Sequence, residues 1–158
     1  MPSPRVLVHL PHLSPFDRQP LLFITTCTAG RRPLLASTVV QDVLLDLWVR
    51  SAAIDGWFVG RYVLMPDHVH FFAKASLSAK PLAAWMKSWK SISARRLIAM
   101  ERTIAPVWQA DYFDHFVRSA AAYESKWEYV LQNPVRKKLC TNSGEWPYRG
   151  VLHELCFR

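Results

Sequence analysis

The chain has 158 residues, a net charge of +8 and a pI near 9.8, which fits one ordinary domain with a core of its own and a polyanionic partner, nucleic acid first and an anionic membrane surface second. Three cysteines, Cys27, Cys140 and Cys156, form an odd set without Cys-x-x-Cys spacing, which argues against a disulfide framework and a zinc knuckle and for a reducing compartment. No run has the apolar length of a signal peptide or of a membrane span, so a cytoplasmic protein off the membrane is expected.

Residues 1–20 are rich in proline and read as an irregular lead-in. Leu21 to Ala29 is predicted as a first strand, closed by Gly30, with Arg31 and Arg32 in the loop that follows. Ser37 and Thr38 offer N-cap hydroxyls to a helix through about Ala53, in which Val39, Val43, Leu44 and Leu47 recur at helical spacing, and Gly56 makes the turn after it. Trp57 to Met65 and His68 to Ala75 read as a hairpin joined by Pro66-Asp67. Pro81 starts a second helix to about Met100, with Leu82, Trp85, Met86, Trp89 and Ile92 on one arc; Lys87, Lys90 and Arg95 lie towards the other, where a solvated face and phosphate contact are equally good readings. Val107 to Gln109 and Tyr112 to Val117 are extended. A third helix runs from about Ala120 to Gln132, stopped by Asn133-Pro134, and residues 135–158 form an irregular tail. This order predicts a single α+β domain over 1–158, a ferredoxin-like sandwich with helices on one face of an antiparallel sheet and a C-terminal helix.

The chemistry starts in the second arm of the hairpin. Side chains two apart on a strand leave the same face, so His68 and His70 present two imidazoles side by side, while Val69, Phe71 and Ala73 form the apolar back. Two imidazoles can clamp a divalent ion that takes a third ligand from elsewhere. On the third helix Tyr123, Trp127, Val130 and Leu131 make the apolar stripe; Tyr129 lies about 200° round from Trp127, away from that stripe, as a plain surface residue or a positioned one. Asn133 stands one turn on along the same face, where it can end the helix, offer an amide oxygen as the third ligand, or do both. Nitrogen and oxygen ligands with open positions suit Mg²⁺ or Mn²⁺. Such a set is suited to phosphodiester transfer through a phosphotyrosine, which conserves the bond energy for rejoining.

Several runs together resemble a known family. Tyr62-Val63-Leu64-Met65-Pro66-Asp67-His68-Val69-His70 resembles the HUH motif of single-tyrosine, IS200-like transposases. Val107-Trp108-Gln109, Tyr112 to Arg118, Glu128 to Arg136 and Glu145-Trp146-Pro147-Tyr148 resemble the branch associated with repetitive extragenic palindromes (REP) in bacteria. The resemblance covers about residues 20 to 150 in the same order. It implies metal-dependent cleavage and transfer of single-stranded DNA at hairpin-forming palindromes, on a ferredoxin-like fold, by a monomer or homodimer at the bacterial nucleoid. By position it assigns His68, His70 and Asn133 to the metal and Tyr129, rather than Tyr112 or Tyr123, to the nucleophile. Arg31, Arg32, Lys87, Lys90, Arg95, Arg136, Lys137 and Lys138 then become candidates for phosphate contacts. Trp89, Trp108, Tyr112 and Trp146 become candidates for base stacking, with core packing as the competing role. A domesticated hairpin-binding protein without transposition activity is the alternative.

Overall fold

Alternation of apolar residues builds the sheet, and the computed structural model, which describes residues 20–156, shows where each face goes. Strands β1 (Leu21–Cys27), β2 (Trp57–Leu64), β3 (His68–Ala75), β4 (Phe113–Val117) and β5 (Arg149–Val151) form one antiparallel sheet in the order β4-β1-β3-β2-β5. The first four carry the ferredoxin-like order. Helices α1 (Thr38–Ile54) and α2 (Leu82–Ala99) cross between the strands, and α3 (Ala120–Leu131) is followed by a single helical turn, α4 (Asn133–Arg136). The proline-rich lead-in expected over residues 1–20 lies, apart from Pro20, outside the described residues.

Local chemistry explains the boundaries. Ser37 caps α1 by accepting a hydrogen bond from the Val40 amide at 3.3 Å, and Ser119 caps α3 through the Ala122 amide at 3.0 Å. Gly56 adopts φ +76°, a conformation a side chain disfavours, to turn α1 into β2. The β2–β3 hairpin is closed by the Met65 amide donating to the His68 carbonyl at 2.8 Å. One face of the sheet packs on α1 and α2 through Ile24, Val69, Phe71 and Ala73. Indole rings dominate this layer: Trp48 stacks on Trp89 and Trp57 on Trp85, at centroid separations of 5.7 and 4.8 Å. Trp89, Trp108, Tyr112 and Trp146 are all buried, so the base-stacking role considered for them gives way to core packing. Trp108 and Trp146 each use the indole N–H internally, on Ser93 Oγ and the Leu64 carbonyl.

The opposite face carries Leu21, Phe23, Val63 and Phe72 beneath α3, which contributes Tyr123 and Val130. Arg61 clamps that helix. Its guanidinium sits 4.5 Å from the Tyr123 ring centroid and 5.7 Å from that of Trp127, and pairs with Glu124 at 3.0 Å. A cation held over aromatic rings and partly desolvated contributes more than an exposed ion pair. Arg61→Ala is therefore expected to lower unfolding stability by about 1–2 kcal/mol, read as a lower urea midpoint.

The third helix ends as expected, at Leu131 with Gln132 as its cap, just before Asn133-Pro134. The irregular tail expected from residue 135 on is corrected: α4 starts at Asn133, where proline lacks only an N–H that a first turn leaves unbonded anyway, and Arg149–Val151 pairs with Arg61–Val63 as the fifth strand. Gly150 is required there, because a Cβ would lie 2.9 Å from the Tyr62 hydroxyl.

A candidate metal and nucleophile site

The strand period delivers His68 and His70 to the face beneath α3, beside Phe72, and their rings meet edge to face at 4.7 Å between centroids. Each ring is fixed through Nδ1. His68 Nδ1 lies 2.7 Å from Asp67 Oδ1, and a carboxylate can only accept, so the proton is on Nδ1. His70 Nδ1 lies 2.7 Å from Thr25 Oγ1, its cross-strand partner in register. Both Nε2 atoms are turned to one point, the side-chain amide of Asn133, whose Nδ2 is 3.0 Å from His70 and 3.5 Å from His68. Fixing one imidazole nitrogen so that the other is a bare donor is the usual preparation of a metal ligand.

The imidazoles are held neutral. Burial lowers both histidines; for His70, reinforced by the charges around His68, Lys126 and Arg136, the result is about 3. For His68 the Asp67 carboxylate opposes the effect without cancelling it. Burial pushes the Asp67 carboxyl up, but its bond to His68 and the nearby Arg31, at 3.0 Å from Oδ2, hold it below its ordinary value. These shifts set an acid limit. An unfolded imidazole takes up its proton near pH 6.5 and the folded His70 only near 3, so the stability this neutral group provides is complete above about 6.5 and is lost as pH falls towards 3. Unfolding free energy should decline over that window by up to ~1.4 kcal/mol per pH unit. His70→Asn should flatten the slope in denaturant titrations across the same range.

Asn133 opens α4 immediately after α3, so the amide and Tyr129 are one turn apart on one helical path. As expected from the helical wheel, Tyr129 points away from the apolar stripe and is 62% exposed. Arg136 organises this end: its guanidinium lies 4.0 Å from the Tyr129 ring centroid and donates to the Tyr129 carbonyl at 2.7 Å and to Asn133 Oδ1 at 3.4 Å. The amide nitrogen of Asn133, not the oxygen, faces the imidazoles; a half-turn of the amide exchanges them. Among the described residues no group of three or more His, Cys, Asp and Glu is placed to hold a metal; the candidate donors here are two imidazoles and an amide. Those three fit a divalent ion in number, protonation and convergence.

The basic candidates divide. Arg31 lies at the histidine edge, as do Arg136 and Lys137, the last close enough to act on His68. Exposed Lys138 ends α4's turn in a left-handed conformation, φ 58°. Arg32 instead donates to the carbonyls of Ala29, Ile104 and Pro106, tying two loops together. Lys87, Lys90 and Arg95 lie on α2, in the layer on the other sheet face. Lys90 Nζ donates to the carbonyls of Gln109 and Asp111 at 2.9 and 2.7 Å, and burial lowers it to about 8. Sequence reasoning missed Thr25 and Asp67 as supports of the histidines. It also passed over Lys126, whose ammonium sits 5.1 Å from the Phe23 centroid and 6.0 Å from that of Tyr129. The available signals were the carboxylate next to His68, and the spacing of 126, 129 and 133 on one helical face.

Comparison with known proteins bears on the family and the fold. The family model for IS200-like transposases matches residues 22–133, from β1 to the amide of the site. A solved REP-associated tyrosine transposase bound to a REP hairpin superposes with a TM-score of 0.70 at 17% identity, over 87% of this chain and 80% of that one. A candidate transposase from Deinococcus radiodurans R1 does so with 0.56 at 23% identity, over 74% and 92%. No curated protein matches the chain. No helix among the described residues is long and apolar enough to cross a membrane. With a matching family model over most of its length and the fold to go with it, the chain belongs to the IS200-like transposases, enzymes that act on DNA.

Proposed function

We propose that the chain is a metal-dependent endonuclease and strand transferase for single-stranded, hairpin-forming DNA, of the REP-associated branch, with Tyr129 as nucleophile and His68, His70 and Asn133 as metal ligands. The observation that carries the reading is the convergence of two Nδ1-anchored imidazoles on an amide one helical turn from an exposed tyrosine. The relative bound to a REP hairpin supports hairpin DNA as the partner, and the net charge of +8 suits it. A cytoplasmic, nucleoid-side location goes with that substrate.

In the reaction, Tyr129 Oη attacks a backbone phosphorus. The tyrosine O–P bond forms, the P–O3′ bond breaks, and the phenolic proton ends on the departing 3′-oxygen, leaving a 5′-phosphotyrosine and a free 3′-hydroxyl. Reversal by another 3′-hydroxyl rejoins strands without a nucleotide cofactor. A divalent ion, Mg²⁺ or Mn²⁺, would supply charge for the phosphate oxygens and orient the ester. His68 and His70 offer unprotonated nitrogens at neutral pH, Asp67 and Thr25 hold their orientation, and Arg136 keeps the Tyr129 ring and the Asn133 amide in a common setting.

The test is incubation with end-labelled single-stranded hairpins taken from the palindromes beside the gene, with Mn²⁺ or Mg²⁺, on a denaturing gel. A covalent protein–DNA band and a cut strand are expected, both abolished by chelation and restored by metal. Cutting that persists in chelator would overturn the metal dependence.

A further inference from the structure

The motif Tyr112-Phe113-Asp114-His115-Phe116 has no part in the site described above, yet strand alternation splits it between the two faces of the sheet. Asp114 is buried and Phe116 packs towards the α1–α2 layer, while Phe113 and His115 leave β4 on the face of His70. In the register Phe113 pairs with Thr25, and Thr25 with His70, so these three form one row across adjacent strands. With neighbouring strands about 4.8 Å apart, Phe113 stands about 10 Å from His70.

The rings between them are in contact. Phe113 meets His115 at 5.4 Å between centroids, His115 meets Phe23 at 5.2 Å, and Phe23 stacks on His70 at 5.3 Å with 20° between planes. Helix α3 covers the inner part, with Lys126 over Phe23 and Tyr123 against Phe72. The outer end is open: Phe113 is 46% exposed, on a strand at the edge of the sheet. Phe113 belongs to neither of the two core clusters.

Resting on the proposed reaction, we infer that Phe113 and His115 are a stacking platform for unpaired bases of the DNA flank leading to the scissile phosphate. Aromatic faces and cations in alternation are what single-stranded DNA requires: rings take the bases whatever their identity, and ammonium and guanidinium groups follow the backbone. Here the rings lie on β4 and β1, and Lys126, Arg136 and Arg31 border the adjoining site. At a stacked rise of 3.4 Å, a span of about 10 Å places the base on Phe113 roughly two or three nucleotides from the phosphate at the histidines. The platform thus distinguishes a hairpin with an unpaired flank from a fully paired one.

The experiment compares two fluorescent hairpins from the palindromes beside the gene, one with an unpaired flank and one blunt-ended, in anisotropy titrations without metal. The wild type should prefer the flanked hairpin. Phe113→Ala should weaken binding to it roughly tenfold, the size that alanine substitution of a base-stacking ring produces, leave the blunt hairpin unchanged, and keep the wild-type circular dichroism. Phe113→Trp should restore the affinity, and 5-iododeoxyuridine in the flank should photocrosslink to the peptide containing Phe113. Equal affinity of Phe113→Ala and wild type for the flanked hairpin, an equal loss on both hairpins, or no flank preference in the wild type overturns the platform. Because binding is read without cleavage, a wild type that prefers the flank through Phe113 but never cuts would sink the catalytic reading alone. One that cuts while indifferent to Phe113 would sink only the platform.

Discussion

Tyr129→Phe should abolish the covalent protein–DNA band and reduce cutting by at least about 10⁴-fold, the scale on which removal of a nucleophile acts when its neighbours cannot replace it. Hairpin binding should be unchanged. The substitution deletes one oxygen from a side chain that is mostly in solvent, and it keeps the ring that stacks on Arg136. No other phenol near this helix is a good substitute. Tyr123 faces the core and burial raises it above its ordinary value, and Tyr112, also buried, is pushed up to about 12. Undiminished cutting by the variant would remove Tyr129 from the reaction. A wild-type protein that binds hairpins but never cuts would instead be a domesticated binding protein.

His70→Ala should lower Mn²⁺ affinity by more than about 100-fold, beyond the 10- to 100-fold range seen when only a supporting residue is lost, with cutting falling in parallel. Asp67→Asn offers the graded comparison. It keeps the shape next to His68 but leaves one accepting oxygen for two donors, the His68 ring and Arg31, so the bond that fixes the tautomer is weakened and a drop of about 10- to 100-fold is expected. Titration calorimetry with Mn²⁺ reads both. His70 also bonds Thr25 and stacks on Phe23, so a denaturant midpoint taken at the pH of the titration separates ligand loss from unfolding. Metal binding undisturbed by His70→Ala would place the ion elsewhere.

Much of this was legible in the chain itself. The alternation around His68 assigns its face without reference to any other segment, and Ser37 and Gly56 mark the ends of α1 by local chemistry. The wheel of α3 separates Tyr129 from Tyr123 because 3.6 residues per turn is a property of the backbone alone. What was not legible depended on partners distant in sequence. Thr25 orients His70 only because β1 pairs with β3 in one register. Arg32 and Lys90 look like free cations until the carbonyls of the loops at 104–106 and 109–111 close over them. Three residues of β5 carry too little periodicity to announce a strand, and the β2 edge supplies the missing template. The four aromatic candidates for stacking failed for a related reason, since a tryptophan's burial is set by the layer it meets.

The site joins His70 to Asn133 across 63 positions of the chain. As the chain emerges from the ribosome, the histidine strand is made one helix and one strand, α2 and β4, before the helix that carries Tyr129. On the proposed reaction, a half-synthesised or truncated product carries the pair of imidazoles without the tyrosine assigned to open a strand. The order of the elements alone would then keep an incomplete copy from cutting through that residue.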